Sequence, residues 1–179
     1  MNENMKLIEG MKKLKVLEKH MERNSERIQQ YASIPSNEVP YFGDQKVQKE
    51  EVAKLIQSNE DLLKEYLHLK KRVDMTNLQT PVTIGKDSFT LADLLILRRG
   101  LSKRMQTTFH ALNDKYAEDR IRGYQQRIVT QSGEKPVHVL RLYDEKEKFE
   151  RLQYWQGLDD EIEQRLEVIN ATTDLYIKN

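Results

Sequence analysis

The sequence predicts a mainly α fold: two long antiparallel helical hairpins of coiled-coil type, with a small β-hairpin between them. Three observations support this prediction. Gly and Pro are scarce, at 7 and 4 of 179 residues, so few turns interrupt the chain. Charged residues make up 33% of the chain, which is typical of solvated helix faces. The segments between the prolines carry apolar residues at alternating spacings of three and four, the period of a narrow helical seam.

We expect one domain over residues 1–179, because the length is that of a single domain. Within it we expect a helical hairpin over residues 4–78 and a small β-hairpin over residues 79–90. A second helical pair should occupy residues 91–179, with a β insertion near residues 127–140. The prolines and the glycines near them mark these boundaries.

The first two helices are predicted on either side of a Pro-containing loop, at residues 34–44. Their seams hold the residues at 3,4 spacing: Leu14, Leu17, Met21, Asn24, Ile28 and Tyr31 in the first helix, and Val52, Leu55, Asn59, Leu62, Tyr66, Leu69 and Val73 in the second. The loop is too short for a domain linker, so the helices should pack antiparallel. Asn24 and Asn59 lie nearly equidistant from the loop. We expect them to meet or to share a water, and to fix the register of the pair.

Beyond the second helix the period changes to alternation over residues 81–90, with a turn at Gly85, which predicts the β-hairpin. Thr90 and Asp93 are typical of a helix start. A third helix is then expected from Leu91 to about Arg122, with its seam at Leu94, Arg98, Leu101, Met105, Thr108 and Leu112.

A second β-like patch is predicted at residues 127–130 and 137–140, around Gly133. The last helix should run from about Asp144 to Asn170 or beyond. Its seam residues keep the 3,4 spacing: Leu152, Trp155, Asp159, Ile162, Leu166, Ile169, Thr173 and Tyr176.

Several function classes are disfavoured by composition and motifs. The chain has no cysteine, which excludes disulfides and thiolate chemistry, and its net charge of +1 makes nucleic acid an unlikely partner. It carries none of the common phosphate-binding or hydrolase motifs, and no two of its four histidines stand at i,i+4. We expect no catalytic residues, no metal and no cofactor. No apolar run approaches the roughly 20 residues that span a bilayer, so we expect no membrane partner and a cytoplasmic protein.

Charged residues interrupt two of the seams, at Arg98 and Asp159. A guanidinium in an apolar seam must pair with an acid, bind an anion or reach water. Asp159 or Glu163 would provide the pairing. The other reading is a site for an anionic small molecule such as a nucleotide, because Arg forks suit phosphate and a tyrosine can stack a base. The residues proposed for that site are Arg98, Arg99, Lys103, Arg122, Arg127 and Tyr124.

Two motifs resemble septicolysin-like proteins. The first motif comprises Thr90, Leu91, Asp93, Leu94, Leu95, Arg98 and Arg99, and it is followed by Gly100, where that family has Asp. The second comprises Ile162, Glu163, Leu166, Glu167, Asn170, Ala171, Thr173 and Leu175. The resemblance spans nearly the whole chain. It implies a small helical protein with a β excursion and implies little about activity.

Two functions are therefore expected from the sequence. The first is a non-enzymatic structural or interaction protein that forms a homo-oligomer through its helix seams. The second is a binding protein that sequesters an anionic small molecule at the basic third helix or between subunits.

Overall fold

Helices dominate the computed structural model, which describes residues 5–128 and 137–176, without the side chains of residues 124–128. The described residues also form one small sheet, a two-stranded antiparallel β-hairpin. The predicted fold class, mainly α with a small β-hairpin, is therefore confirmed. The chain forms two compact units. One holds the described residues up to Ala92 and from Leu166 onwards, and the other holds Asp93–Arg165.

The first unit is built on an antiparallel helical hairpin, as predicted. Helix α1 spans Leu7–Tyr31, and helix α2 spans Gln45–Gln79. Helix α2 begins at Asp44, whose carboxylate accepts hydrogen bonds from two backbone N–H groups of the first turn. The seam buries four leucines: Leu14, Leu17, Leu55 and Leu69.

The polar layer of the hairpin is formed by the two seam asparagines, which meet as expected. Asn24 Nδ2 donates to Asn59 Oδ1 at 3.0 Å and to Ser58 Oγ at 3.2 Å. Asn59 Nδ2 donates to the Met21 carbonyl at 3.2 Å and to Ser25 Oγ at 3.3 Å. Each amide therefore finds partners in a half-buried position, which offsets the cost of removing it from water.

The β-hairpin pairs β1, Pro81–Ile84, with β2, Asp87–Thr90, and Val82 lies opposite Phe89. Its turn contains Gly85 at φ +60°, a conformation that favours glycine. Val82 and Ile84 are buried, so one side of β1 joins the core of the unit.

The C-terminal segment closes the first unit beside the start of α1. The Leu7 N–H donates to the Thr173 carbonyl at 2.9 Å, and the Leu175 N–H donates to the Met5 carbonyl at 2.8 Å. Leu175 is buried against Gly10, where a Cβ would lie only 3.3 Å from the leucine methyl carbons. Glycine therefore allows this close approach.

The second unit contains a third helical region that is broken twice, where the sequence predicted one continuous helix from Leu91 to about Arg122. Helix α3, Leu91–Ile96, passes through a π-helical turn, Leu97–Leu101, into helix α4, Ser102–His110. Gly100 has φ +118°, which α-helical residues do not adopt, and this changes the helical register. A second break precedes helix α5, Lys115–Ile128, where the Asn113 side chain accepts from the Lys115 N–H.

The predicted β patch near residues 127–140 differs from what is found. Arg127 and Ile128 belong to α5, and residues 137–140 have no regular secondary structure. The remainder of the patch, residues 129–136, lies outside the described residues.

The last helix, α6, spans Glu145–Thr172 and is capped by Asp144, whose carboxylate accepts from the N–H groups of Lys146 and Glu147. Two hydrogen bonds, Ser102 with Asp159 and Gln106 with Trp155, show that α4 and α6 run antiparallel in the second unit. The second helical pair is therefore present.

We predict that replacing Asn24 and Asn59 together with leucine raises the free energy of unfolding but loosens the register of the hairpin. The reason is that leucine adds apolar contact, while the hydrogen bonds that select one alignment disappear. Asn59→Leu alone should be less stable than the double variant, because the Asn24 amide loses a partner.

The register is measured by spin labels on His20→Cys and Asp61→Cys, since the chain has no cysteine of its own. A broader distance distribution in the double variant is expected. A distribution as narrow as that of the wild-type hairpin would show that the asparagines do not fix the register.

Candidate functional site

The basic residues proposed for an anion site lie on separate helical segments. Arg98, Arg99 and Lys103 are exposed on the π-helical turn and α4, and Arg122 pairs with Glu118 at 3.7 Å on α5. The side chains of Tyr124 and Arg127 lie outside the described part of the chain.

Arg98 pairs with Glu163, one of the two acids considered for it. Its Nε donates to Glu163 Oε1 at 3.0 Å, and both side chains are exposed. An ion pair that water surrounds contributes little to stability, about 0–1 kcal/mol. Arg98 is therefore not a buried cation of the seam.

The buried seam position belongs to Ser102 instead. Ser102 is 1% exposed and its Oγ donates to Asp159 Oδ1 at 2.6 Å, while Leu101 points to solvent. The positive φ of Gly100 shifts the register of the residues after it by one position, so that Ser102 faces inward where Leu101 was predicted. A glycine within a helical pattern was the signal for this shift.

A charged cluster fixes the segment before α6 to the α4–α5 corner. Arg141 Nε donates to Asp114 Oδ1 at 3.2 Å, and the Arg141 Nη2 contacts the second carboxylate oxygen. Arg141 and Lys148 both approach the Tyr143 ring, each 5.5 Å from its centroid. The hydrogen bond from Arg141 lowers the pKa of Asp114, and the bond from Lys148 lowers the pKa of Glu145. Both carboxylates are ionised and paired with cations, so the cluster stabilises the contact between the segment before α6 and the α4–α5 corner.

The tip of the α1–α2 hairpin is the surface with the most distinctive composition. Among the sixteen residues 28–43, only Glu38 is charged, although a third of the whole chain is charged. Helical periodicity does not reveal this surface, because the tip has no repeating pattern of apolar residues. The signal was the run of uncharged residues that ends in Tyr41 and Phe42.

Gln48 makes the tip rigid from within. It is 5% exposed, its Nε2 donates to the Tyr31 carbonyl at 2.7 Å, and its Oε1 accepts from the Tyr41 N–H at 2.8 Å. The Gln48 side chain therefore joins the end of α1 to the loop. It provides partners for one backbone carbonyl and one backbone N–H that would otherwise be unpaired.

Three aromatic side chains of the tip form a cluster. The Tyr31 ring centroid lies 5.2 Å from that of Tyr41 and 5.1 Å from that of Phe42, and the ring planes are tilted, as in favourable aromatic pairs. Gln30 Nε2 donates to the Tyr41 hydroxyl at 3.0 Å. These contacts hold Tyr41 in place although most of its side chain remains in water.

The tip presents a projection beside a groove. Val39 and Tyr41 are 80% and 62% exposed, and Phe42 is exposed next to them. The groove has a volume of about 440 Å³ and is lined mainly by uncharged residues, among them Tyr31, Ile34 and Val52. Exposed aromatic side chains held in one conformation are the usual anchors of protein interfaces.

We predict that Gln48→Ala lowers the free energy of unfolding by about 1–3 kcal/mol, because it leaves the Tyr31 carbonyl and the Tyr41 N–H without their partner. Chemical denaturation measures the change. Gln29→Ala, the same substitution at an exposed position of α1, is the control and should change stability by less than about 0.5 kcal/mol. Equal effects of the two substitutions would contradict the role given to Gln48.

A second prediction concerns Asp114, whose pKa Arg141 holds below the ordinary value of 3.8. A lowered acid pKa stabilises the fold above that ordinary value, and this stabilisation is lost as the pH falls through the lowered pKa. Arg141→Met should therefore bring the pKa of Asp114 back towards 3.8, as measured by NMR titration of its carboxyl carbon. Arg151→Met, which removes a contact to Glu147 instead, should leave that titration unchanged.

Among residues 5–128 and 137–176, no three His, Asp or Glu side chains are grouped closely enough to hold a metal ion. None of the helices in the described part of the chain has the length and apolar character needed to cross a membrane. The resemblance to septicolysin-like proteins stays a prediction from the sequence. Comparison of the chain with family models, curated proteins and solved structures finds no match.

Proposed function

We propose that this chain is a non-enzymatic helical interaction protein that self-assembles, and that the α1–α2 hairpin is an arm whose tip contacts another protein. The observation that carries the proposal is the aromatic tip with its single charged residue, in which Tyr41 is held by hydrogen bonds to Gln30 and Gln48 and yet is 62% exposed. Ordering an exposed aromatic side chain does not stabilise a monomer. It strengthens binding, because the conformational entropy of the side chain is already lost before the partner arrives.

The length of the arm supports the same function. Helix α2 has 35 residues, which corresponds to about 50 Å at 1.5 Å per residue. The seam that holds the arm together is only one stripe wide on each helix. Such an arm carries its tip away from the β-hairpin and the C-terminal segment at the opposite end of α2.

Binding of an anionic small molecule, the alternative from the sequence, has less support. Arg98 is paired with Glu163, and Arg122 is paired with Glu118. Arg99 and Lys103 are exposed cations on different helical segments.

Site-specific photo-crosslinking in living cells tests the tip. A benzophenone side chain at Phe42 should give a protein adduct of defined mass, and Val39→Asp should abolish it, because a charge is then placed in the contact. The matched control is the same photoreactive group at Phe149, which is exposed on α6. The proposal fails if the tip gives no adduct, or if its adducts are insensitive to Val39→Asp.

A further inference from the structure

A second apolar stripe runs along α2 outside its seam with α1. Ile56, Leu63 and Leu67 recur at spacings of seven and four, so they share one helical face. At about 100° per residue, Ile56 lies roughly a quarter turn from the seam residue Leu55. The three side chains are between 46% and 48% exposed. Aligned exposed aliphatic residues mark an interaction face, unlike apolar residues scattered singly over a surface.

Opposite charges stand at the two ends of this stripe. Lys49 precedes Ile56 by seven residues, and Asp74 follows Leu67 by seven residues, so both lie on the same face. Lys49 is exposed, and about half of the Asp74 side chain is exposed as well. The face therefore has a basic end, an apolar middle and an acidic end.

When two copies of this face are placed antiparallel, the basic end of one meets the acidic end of the other. The positions 49 and 74, and likewise 56 and 67, are symmetric about the same point of α2. In an antiparallel pair of α2 helices, Lys49 lies opposite the partner's Asp74, and Ile56 lies opposite the partner's Leu67. In a parallel pair, each charge would meet its own kind, which is unfavourable.

We propose that this face of α2 binds the same face of a second copy of the chain, antiparallel, in a twofold symmetric dimer. The proposal rests on the self-assembly proposed above and names its surface and its geometry. A twofold interface uses one patch on both subunits and needs that patch to complement itself, which is the property of this stripe.

Two charged neighbours fit into the same arrangement. Asp74 contacts Lys70 on its own helix, and a carboxylate has lone pairs enough to accept from a second cation. Glu60 lies about 40° around the helix from Ile56 and stands opposite the partner's Leu63 in this register. It is exposed, so its flexible side chain carries the carboxylate to the rim of the contact, where it remains in water.

Sedimentation equilibrium of the purified full chain tests the dimer between 1 and 100 µM, a range chosen to span roughly micromolar affinity. The expected species has twice the 21.2 kDa mass of the chain. Leu63→Glu should weaken the dimer at least tenfold. Val16→Glu, at an equally exposed position of α1, should leave it unchanged. A monomeric wild-type chain, or equal effects of the two variants, would overturn the proposal.

Charge reversal tests the orientation. Lys49→Asp and Asp74→Lys should each weaken the homodimer relative to wild type, but the double variant with both substitutions should regain the wild-type affinity. In an antiparallel pair its two end contacts again join unlike charges, whereas in a parallel pair they would join like charges. Circular dichroism verifies that each variant is folded. If the double variant associates no better than the single variants, the antiparallel arrangement is wrong.

The same assay separates this inference from the proposed function of the tip. Val39→Asp should abolish the crosslink at the tip and leave the dimer intact, since residue 39 lies outside the α2 stripe. If Val39→Asp dissociates the dimer and Leu63→Glu does not, self-association takes place at the tip and the proposed α2 interface is wrong.

Discussion

The single-stripe seam between α1 and α2 is the constraint on which the rest of the first unit depends. Each helix buries one narrow row of side chains, so each also leaves most of its surface to water. Two long helices with so little apolar contact need a specific interaction that fixes their register. The Asn24–Asn59 layer has that property, because a slip by one helical turn would leave both amides beside apolar seam residues. The position of the tip and the direction of the outer α2 stripe both follow from this alignment.

Much of the fold was readable from the sequence because its signals are local. The 3,4 spacing of Leu14, Leu17, Leu55 and Leu69 needs nothing beyond neighbouring turns of one helix, and all four are buried. The turn at Gly85 and the alternation around it likewise determine the β-hairpin within ten residues. Even the meeting of Asn24 with Asn59 could be expected, since they are the asparagines of two seams that a short loop brings face to face.

The parts that were missed depend on backbone conformation or on aperiodic residues. Spacings of three and four from Leu94 predict that Arg98 and Leu101 face inward. The positive φ of Gly100 interrupts the helical period, and Ser102 is buried in place of Leu101. Side-chain spacing carries no information on that torsion angle. The hairpin tip was missed for a different reason, because Gln48 acts through one donor and one acceptor on backbone groups far from any repeating pattern.

The backbone contact between residues 5–7 and 173–175 has a consequence for the order of events during synthesis of the chain. Leu7 leaves the ribosome more than 160 residues before the segment that accepts its N–H. At about 5–20 residues per second, the interval is on the order of ten seconds or longer. During it, Gly10 and its neighbours on α1 lack the leucine that later covers them. A hairpin that forms during this interval has one end of its core open until the C-terminal segment arrives, while charged residues cover much of its remaining surface.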